Sequence, residues 1–273
     1  MTQTPRRLYI FTGKGGVGKT TLSKAFVRYL KSLNHDVIYL TFKNQSLSEN
    51  HNERNSDKEI HGIREVYLDL EECAKGYIER RLNSSMIAGW IVKTPFFRAL
   101  VNMIPGFNYL IYLGKILELG KENPNLIVVL DAPASGHALT MVESTTNFQH
   151  IFESGVIFED THKMLSRLND PSYTKIHVIS LASQMSWQEA IELKSGIQER
   201  SPVEVSITVN NCLWPLVDQN LSDLPAGLKL KALNEKELIQ EHQTEMLCVL
   251  PHSLQPFSQG IEMDLVGSLS KLI

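Results

Sequence analysis

A glycine-rich stretch near the start of the chain carries the residues with the clearest chemistry. It reads Gly-Lys-Gly-Gly-Val-Gly-Lys-Thr-Thr from Gly13 to Thr21, which fits the pattern of a glycine, four residues and then Gly-Lys-Thr. Glycines let the backbone curl so that successive N–H groups point at an anion. A helix that follows adds the positive end of its dipole. The pattern predicts a loop that binds the phosphates of ATP or ADP.

Each residue of this stretch has an expected task. Lys19 neutralises charge on the β- and γ-phosphates and is a candidate catalytic residue, and the Thr20 hydroxyl ligates Mg²⁺. The predicted nucleotide contacts come from Gly13, Gly15, Gly16, Val17, Gly18, Lys19, Thr20 and Thr21. The alternative is a glycine-rich turn without a ligand. The flanks favour the site, because an apolar β-rich run at 8–11 precedes the loop and apolar residues at helical spacing follow over 21–33.

A buried strand that ends in an acidic residue is predicted at 126–131. It is a continuous β-branched run that ends in Asp131. A carboxylate there would hold the hydrated Mg²⁺, since this ion keeps several of its waters. The other interpretation is that Asp131 only caps the strand end.

The rest of the chain alternates strand and helix patterns. Strands are predicted at 36–41, 65–70, 176–181, 203–210 and 246–251, with 65–70 at an edge of the sheet, and helices at 71–82, 186–199 and 261–272, with 224–243 helical in part. This alternation predicts an α/β fold, with a mainly parallel sheet and helices on both faces. The carboxyl ends of such strands form the ligand site, so Asn210 and Pro251 are expected to converge there with the loop and Asp131.

The segment 84–120 is the most apolar part of the chain, and Pro105-Gly106 interrupts its helical pattern. We expect one domain over 1–273 that includes a hydrophobic helical subdomain over about 71–120. The segment is either core helices packed on the sheet or an apolar surface for a client, a partner helix or a dimer contact. The sequence leaves both possibilities open.

Composition narrows the function classes. The net charge of −3 disfavours a general nucleic-acid surface, so no nucleic-acid partner is expected. Three widely spaced cysteines form neither a disulfide framework nor a Cys-x-x-Cys metal pair, which is typical of a cytoplasmic protein. The chain shows no signal-peptide pattern and no uncharged run of about 18 residues.

Lys14, directly after the first glycine, makes the loop resemble the "deviant" phosphate loop of the group that holds ArsA, MinD, ParA and the nitrogenase iron protein. In that group the extra lysine crosses a dimer interface and touches the partner's nucleotide. The resemblance therefore implies a sandwich dimer and a catalytic role for Lys14. A solvated surface lysine is the alternative.

Over most of its length the chain resembles the ArsA-type ATPases, which include the arsenite-pump ATPase and the ATPase that targets tail-anchored membrane proteins. The segment 131–137 is similar to that family's Asp-Thr-Ala-Pro-Thr-Gly-His second switch. Val209-Asn210-Asn211 resembles the segment whose asparagine reads adenine, and Leu250-Pro251 the turn that flanks the base. The resemblance implies a P-loop NTPase fold with three α/β/α layers, bound ATP or ADP with Mg²⁺, and hydrolysis of ATP to ADP and phosphate.

One departure affects hydrolysis. Where the family has Asp-Pro-Ala and a polar residue after the second strand, this chain has Phe42-Lys43-Asn44-Gln45. A phenylalanine can neither orient water nor accept a proton, and general-base assistance contributes about 10²–10⁴-fold. Glu49 and Asp57 have no spacing that supports a replacement. The thiolates of the arsenite site and the zinc Cys-x-x-Cys are also absent from this sequence.

The sequence therefore favours an ATP-binding dimeric switch with weak or partner-dependent hydrolysis. Its partner is a second copy or a paralogous ATPase, and its client is a hydrophobic or membrane protein. A second hypothesis is a non-catalytic nucleotide-binding regulatory subunit or interaction module. A third hypothesis is a positioning ATPase like ParA or MinD. The sequence favours neither the basic patch nor the basic C-terminal helix that such a protein needs.

Overall fold

A computed structural model describes residues 4–42, 58–60, 62–134, 139–144, 156–217, 224–253 and 261–273. Within these ranges the strands are β1 Leu8–Gly13, β2 Val37–Phe42, β3 Lys58–Ile60, β4 Ile63–Leu68, β5 Ile127–Ala134, β6 Thr174–Leu181, β7 Glu204–Cys212 and β8 Met246–Pro251. They form one sheet in the order β3-β4-β2-β5-β1-β6-β7-β8. Every neighbouring pair is parallel except β3 with β4.

The helices connect these strands. They are α1 Lys19–Ser32, α2 Leu70–Leu82, α3 Ser85–Val92, α4 Pro95–Met103, α5 Phe107–Glu122, α6 Val156–Leu168, α7 Gln184–Gln198, α8 Trp214–Val217, α9 Ala226–Glu241 and α10 Ile261–Leu269, with a 3₁₀ turn at Ser270–Leu272 and a further helical segment at 139–144. The predicted helix and strand types are thus confirmed for most elements, with boundaries shifted by one to three residues.

Alternate residues of the central strand face opposite layers, as the two-residue period of a strand requires. Leu8 and Ile10 pack into a core with residues of α5, α7 and α9. Tyr9 and Phe11 pack into a second core with α1 and α10. Both faces of the sheet are therefore covered by helices, which confirms the α/β fold class with a mainly parallel sheet.

The helical segment after β4 differs from the prediction in one detail. Besides the break at Gly106, it has a second break where Thr94 caps α4 with its hydroxyl on the Phe97 N–H and Pro95 occupies the first turn. Thr-Pro is a helix-start signal that the apolar run obscured. The long α5 packs its buried face on the sheet, whereas α3 and α4 contribute only Ala88, Val92 and Phe97 to the interior.

The prediction that the strand at 65–70 lies at an edge was wrong. The observed β4 pairs with β2 on one side and with the three-residue β3 on the other. Lys-Glu-Ile is too short and too polar to give a strand signal by itself. The hairpin turn, with Gly62 at φ 75°, supplies the constraint that pairs it.

Among the described residues, no single helix has the length and apolar composition to cross a membrane. The helices Pro95–Met103 and Phe107–Glu122 meet that test only when they are taken together, and they are bent by 101° at their junction.

Candidate functional site

The glycine-rich loop joins β1 to α1 at the carboxyl edge of the sheet. Gly13, Gly16 and Gly18 have φ values of 136°, 82° and 89°, a region that side chains rarely adopt. A Cβ on Gly13 would collide with the carbonyl of Ile179. Gly18 precedes α1 without any side-chain cap, and the first turn of α1 holds no acidic residue. The loop and the uncapped helix end therefore suit an anion.

Lys19 folds back over this loop. Its ammonium donates hydrogen bonds to the carbonyls of Gly13 (3.1 Å) and Lys14 (2.8 Å). Burial lowers the pKa of Lys19, and the nearby Asp131 carboxylate opposes that shift. The ammonium thus lies in the concavity where phosphate oxygens would take over these hydrogen bonds.

Asp131 lies beside the start of α1 and is almost fully buried. Its Oδ2 accepts hydrogen bonds from the hydroxyls of Thr20 (2.5 Å) and Tyr39 (2.8 Å). Its Oδ1 is buried and has no hydrogen-bond partner among the described residues. A buried carboxylate oxygen without a partner is costly, and a hydrated Mg²⁺ would satisfy it. Thr20 and Asp131 therefore fit the predicted cation.

Tyr39 is a residue of this site that the sequence analysis missed. It is 1% exposed on β2, and burial together with the Asp131 carboxylate raises the pKa of its phenol well above the usual value. The phenol thus keeps its proton and remains a donor. The available sequence signal was weak: a tyrosine lies inside an apolar strand, and its hydroxyl needs a partner only if that strand is buried.

Lys14 makes its ion pair within the chain. Its ammonium lies 2.7 Å from Oε1 of Glu189 on α7, and both side chains are about two-fifths exposed. The contact of Lys14 with a partner's nucleotide stays a prediction. The structure adds that Glu189 already neutralises this lysine.

The predicted adenine contacts lie along a cleft of ≈ 220 Å³ beside the loop. The cleft is lined by Gly16, Val17, Gly18, Thr21, Leu22, Asn210, Asn211, Pro251, His252, Ser253 and Leu265. The Asn210 amide donates to the Val17 carbonyl at 2.9 Å, and a Cβ on Gly18 would meet that amide at 2.5 Å. Asn210 therefore packs against the loop with which it was expected to converge, and Pro251 lies on the same cleft.

Phe42 occupies the position of the expected first-switch acid, and its side chain packs against α5. The Phe42 ring contacts the rings of Tyr112 (4.7 Å between centroids) and Tyr109 (6.0 Å) on α5. Residues 43–45, Glu49 and Asp57 lie outside the described residues, as do 135–137 of the predicted second switch. Gly15, by contrast, is described and has open space around it.

Away from this site, the cysteines and acidic residues that the structure describes do not form a candidate metal site. Cys73, Cys212 and Cys248 are buried free thiols, and burial raises the pKa of Cys73 and Cys212 to about 12. The described ranges hold no group of three or more His, Cys, Asp or Glu side chains placed to bind a metal.

Comparison with known proteins gives a family match and distant relatives. The sequence model of the anion-transporting ATPases matches residues 6–159, more than half of the chain. The arsenical pump-driving ATPase of Escherichia coli is 24% identical over 261 residues, which cover 89% of this chain and 41% of that relative. The chain therefore spans less than half the length of this relative.

Two other relatives are similar at comparable levels. The ATPase asna-1 of Caenorhabditis elegans is 22% identical, with 78% of this chain and 76% of the relative covered. The ATPase BagA of Mycobacterium tuberculosis is also 22% identical, with 74% and 63% covered. The matches extend well beyond the glycine-rich loop.

Proposed function

The chain belongs to the family of the anion-transporting ATPases, and we propose that it is a nucleotide-dependent switch that binds Mg-ATP and closes as a dimer. The observation that carries the proposal is the arrangement of Lys19, Thr20 and Asp131 around the glycine-rich loop. A cationic group, a helix end and a buried acid with one unused oxygen meet there.

The binding step follows from these groups. The N–H groups of the loop and α1 hold the phosphates, and Lys19 leaves the carbonyls of Gly13 and Lys14 for phosphate oxygens. Thr20 and Asp131 would hold the cation, which would neutralise charge on the phosphates. Asn210 and Pro251, on the cleft beside the loop, contact the base.

Hydrolysis by the chain alone is weak in this proposal. Phe42 is engaged with Tyr109 and Tyr112 and offers neither a proton acceptor nor an orienting group for water. A partner that supplies the missing group would raise turnover. This property suits a regulatory subunit paired with a paralogous ATPase as well as a homodimer.

Lys14 is the residue proposed to act across the dimer. Its pair with Glu189 is partly exposed, and exposed ion pairs contribute only about 0–1 kcal/mol. A triphosphate on a second copy therefore has little to overcome in order to attract Lys14 away from Glu189.

The apolar surface on α3 and α4 is the proposed contact for a hydrophobic client or membrane-protein partner. Met86, Trp90, Phe96 and Met103 are 86, 71, 75 and 79% exposed. Met86 and Trp90 are four residues apart, on the side of α3 away from the buried Ala88 and Val92. Clusters of exposed large apolar side chains mark interaction surfaces.

Molecular mass in solution tests the switch. With Mg-ATP the wild-type chain should move from monomer to dimer, and ADP or no nucleotide should leave it monomeric. Lys14→Ala should abolish the ATP-dependent dimer, whereas Glu189→Gln, which frees the lysine, should retain it. A mass that does not respond to nucleotide favours a non-catalytic module.

Steady-state hydrolysis tests the second part of the proposal. The purified chain should turn over ATP far more slowly than about 1 s⁻¹, the low end of ordinary enzymes. Turnover at that rate or above would contradict the role assigned to Phe42. Lys19→Ala is the background control for contaminating ATPases.

A further inference from the structure

The most informative feature outside the glycine-rich loop is the pair of hydroxyls on one oxygen of Asp131. Both Thr20 and Tyr39 donate to Oδ2, and Oδ1 has no partner among the side chains that the structure describes. Thr20 is explained by its place in the loop motif. Tyr39 belongs to no motif and comes from a different strand.

The sheet register places Tyr39 where it can reach this acid. On β2, Tyr39 lies opposite Val129 of β5, and Thr41 lies opposite Asp131. Residues two apart on a strand share a face, so Tyr39 and Asp131 both face α1. The phenol spans the remaining distance along the strand and ends 2.8 Å from Oδ2.

A second set of contacts holds the tyrosine ring in place. The ammonium of Lys24, one turn after Thr20 on α1, lies 4.9 Å from the Tyr39 ring centroid. Lys24 pairs with the fully buried Glu65 at 2.5 Å, and the other oxygen of Glu65 accepts a hydrogen bond from Tyr67 at 3.0 Å. Because Glu65 neutralises Lys24, the lysine covers the ring and does not compete for Asp131.

The geometry points to Tyr39 as a positioning residue for the divalent cation. With two donors on Oδ2, the carboxylate is fixed in the rotamer that presents Oδ1 to the hydrated ion. The inference rests on the proposed function, since the cation arrives with the nucleotide. Tyr39 itself touches neither cation nor phosphate. Partners that orient a metal-binding group typically change metal affinity by about 10–100-fold when they are removed.

Tyr39→Phe tests this role, and Tyr9→Phe is its matched control. Tyr9 is an equally buried tyrosine on β1, level with Tyr39 in the sheet register but separated from it by Val129 of β5. Its hydroxyl accepts a hydrogen bond from the Arg6 N–H at 2.9 Å, away from the site. ADP and ATP affinity is measured by calorimetry over a series of free Mg²⁺ concentrations and in EDTA. Thermal unfolding of each variant confirms that it is folded.

For Tyr39→Phe we expect the half-saturating Mg²⁺ concentration to rise about 10-fold while affinity in EDTA stays unchanged. Tyr9→Phe should match the wild type in both. A Tyr39→Phe variant with wild-type Mg²⁺ dependence overturns the inference and leaves the proposed function intact. Equal losses with Mg²⁺ and in EDTA also overturn it. A wild-type chain that binds no nucleotide overturns the proposed function and, with it, this inference.

Replacement of Tyr39 by 4-aminophenylalanine separates hydrogen bonding from packing. This residue keeps the ring and an N–H donor, so it should bring the Mg²⁺ dependence back toward that of the wild type. Replacement by 4-fluorophenylalanine keeps the size of the side chain without a donor and should show the same weakened Mg²⁺ dependence as Tyr39→Phe. It also serves as the donor-free variant if Tyr39→Phe does not fold. If both replacements give the same Mg²⁺ midpoint, the donor has no role and the inference is wrong.

Discussion

Two neighbouring strands of the sheet, β5 and β2, carry opposite chemistry near their carboxyl ends. β5 reaches Asp131, which is surrounded by the hydroxyls of Thr20 and Tyr39. β2 ends at Phe42, whose ring packs on Tyr109 and Tyr112 of α5. The polar groups on β5 suit a nucleotide and a cation, whereas the corresponding position on β2 holds an aromatic ring that packs against α5. In the proposed function, nucleotide binding depends on the residues around Asp131 and hydrolysis on the position of Phe42, so the first can persist without the second.

The largest expected effect comes from the polar end. Lys19→Ala should weaken ATP affinity by about 100-fold, because removal of one member of a buried charged hydrogen bond costs about 2–5 kcal/mol. Calorimetry with Mg-ATP measures the loss. Lys31→Ala, on the exposed last turn of the same helix, is the control and should bind as the wild type does. Comparable affinity in both variants would break the comparison at its polar end.

The aromatic end should show the reverse behaviour. Phe42→Ala should lower the free energy of unfolding by about 2 kcal/mol, less than the 3–5 kcal/mol for a fully buried phenylalanine, and should leave ATP affinity unchanged. Urea unfolding and calorimetry measure the two quantities. Phe96→Ala, at a 75% exposed ring, should change neither. A large loss of ATP affinity in Phe42→Ala would mean that the two ends are not separate.

The core beneath the glycine-rich loop gives a test with acid. His177 on β6 is fully buried against Tyr9, Phe11 and Phe26. Burial, and then the charge of Lys175, lowers the pKa of His177 to about 3 from its usual 6.5. Between these two values the unfolded chain takes up a proton that the folded chain does not. Stability should therefore fall as the pH drops from about 6.5 toward 3.

The expected slope from His177 is about 1.4 kcal/mol per pH unit at most. Urea unfolding of the wild type, His177→Gln and His35→Gln over this range measures it. His177→Gln should show a smaller slope than the wild type, and His35→Gln should keep the wild-type slope. Equal slopes in all three proteins would remove His177 from the account of this core.

The smallest effect on stability is expected on the apolar surface of α3. Trp90→Ser should change the free energy of unfolding by no more than about 0.5 kcal/mol, as is usual for exposed positions, because the ring is 71% exposed. Binding of an apolar fluorescent probe should fall in the same variant. The contrast with Phe42→Ala sharpens the comparison, since one aromatic ring stabilises the fold and the other is available to a partner. A large stability loss in Trp90→Ser would place this ring in the core.

The polar strand end could be predicted because its signals are local. The glycine-rich loop is one continuous stretch, and Asp131 directly follows a continuous apolar run, so pattern and chemistry coincide. The sequence likewise showed that Phe42 stands where the resembled family has an aspartate. Its packing against α5 was not predicted, because that contact joins residues about 70 positions apart.

The features that escaped prediction depend on long-range pairing. Tyr39 is an ordinary strand residue until β2 lies beside β5, and Glu189 is one acid among several on an amphipathic helix until Lys14 reaches it. The strand β3 has three residues and no periodicity. The cap of α4 at Thr94 carried a usable local signal, which the surrounding apolar residues outweighed.

The short hairpin of β3 and β4 has a consequence for solubility. Parallel strands next to an open edge present unpaired N–H and carbonyl groups, which invite pairing with another chain. The segment Lys58–Ile60 pairs with residues 63–65 and so covers the first half of that row on β4. Lys31 of α1 secures the turn through the carbonyl of Gly62 at 2.7 Å. These three residues therefore protect part of the edge of the sheet. A chain that lacked Lys58–Ile60 would expose the whole edge of β4 to pairing with another chain.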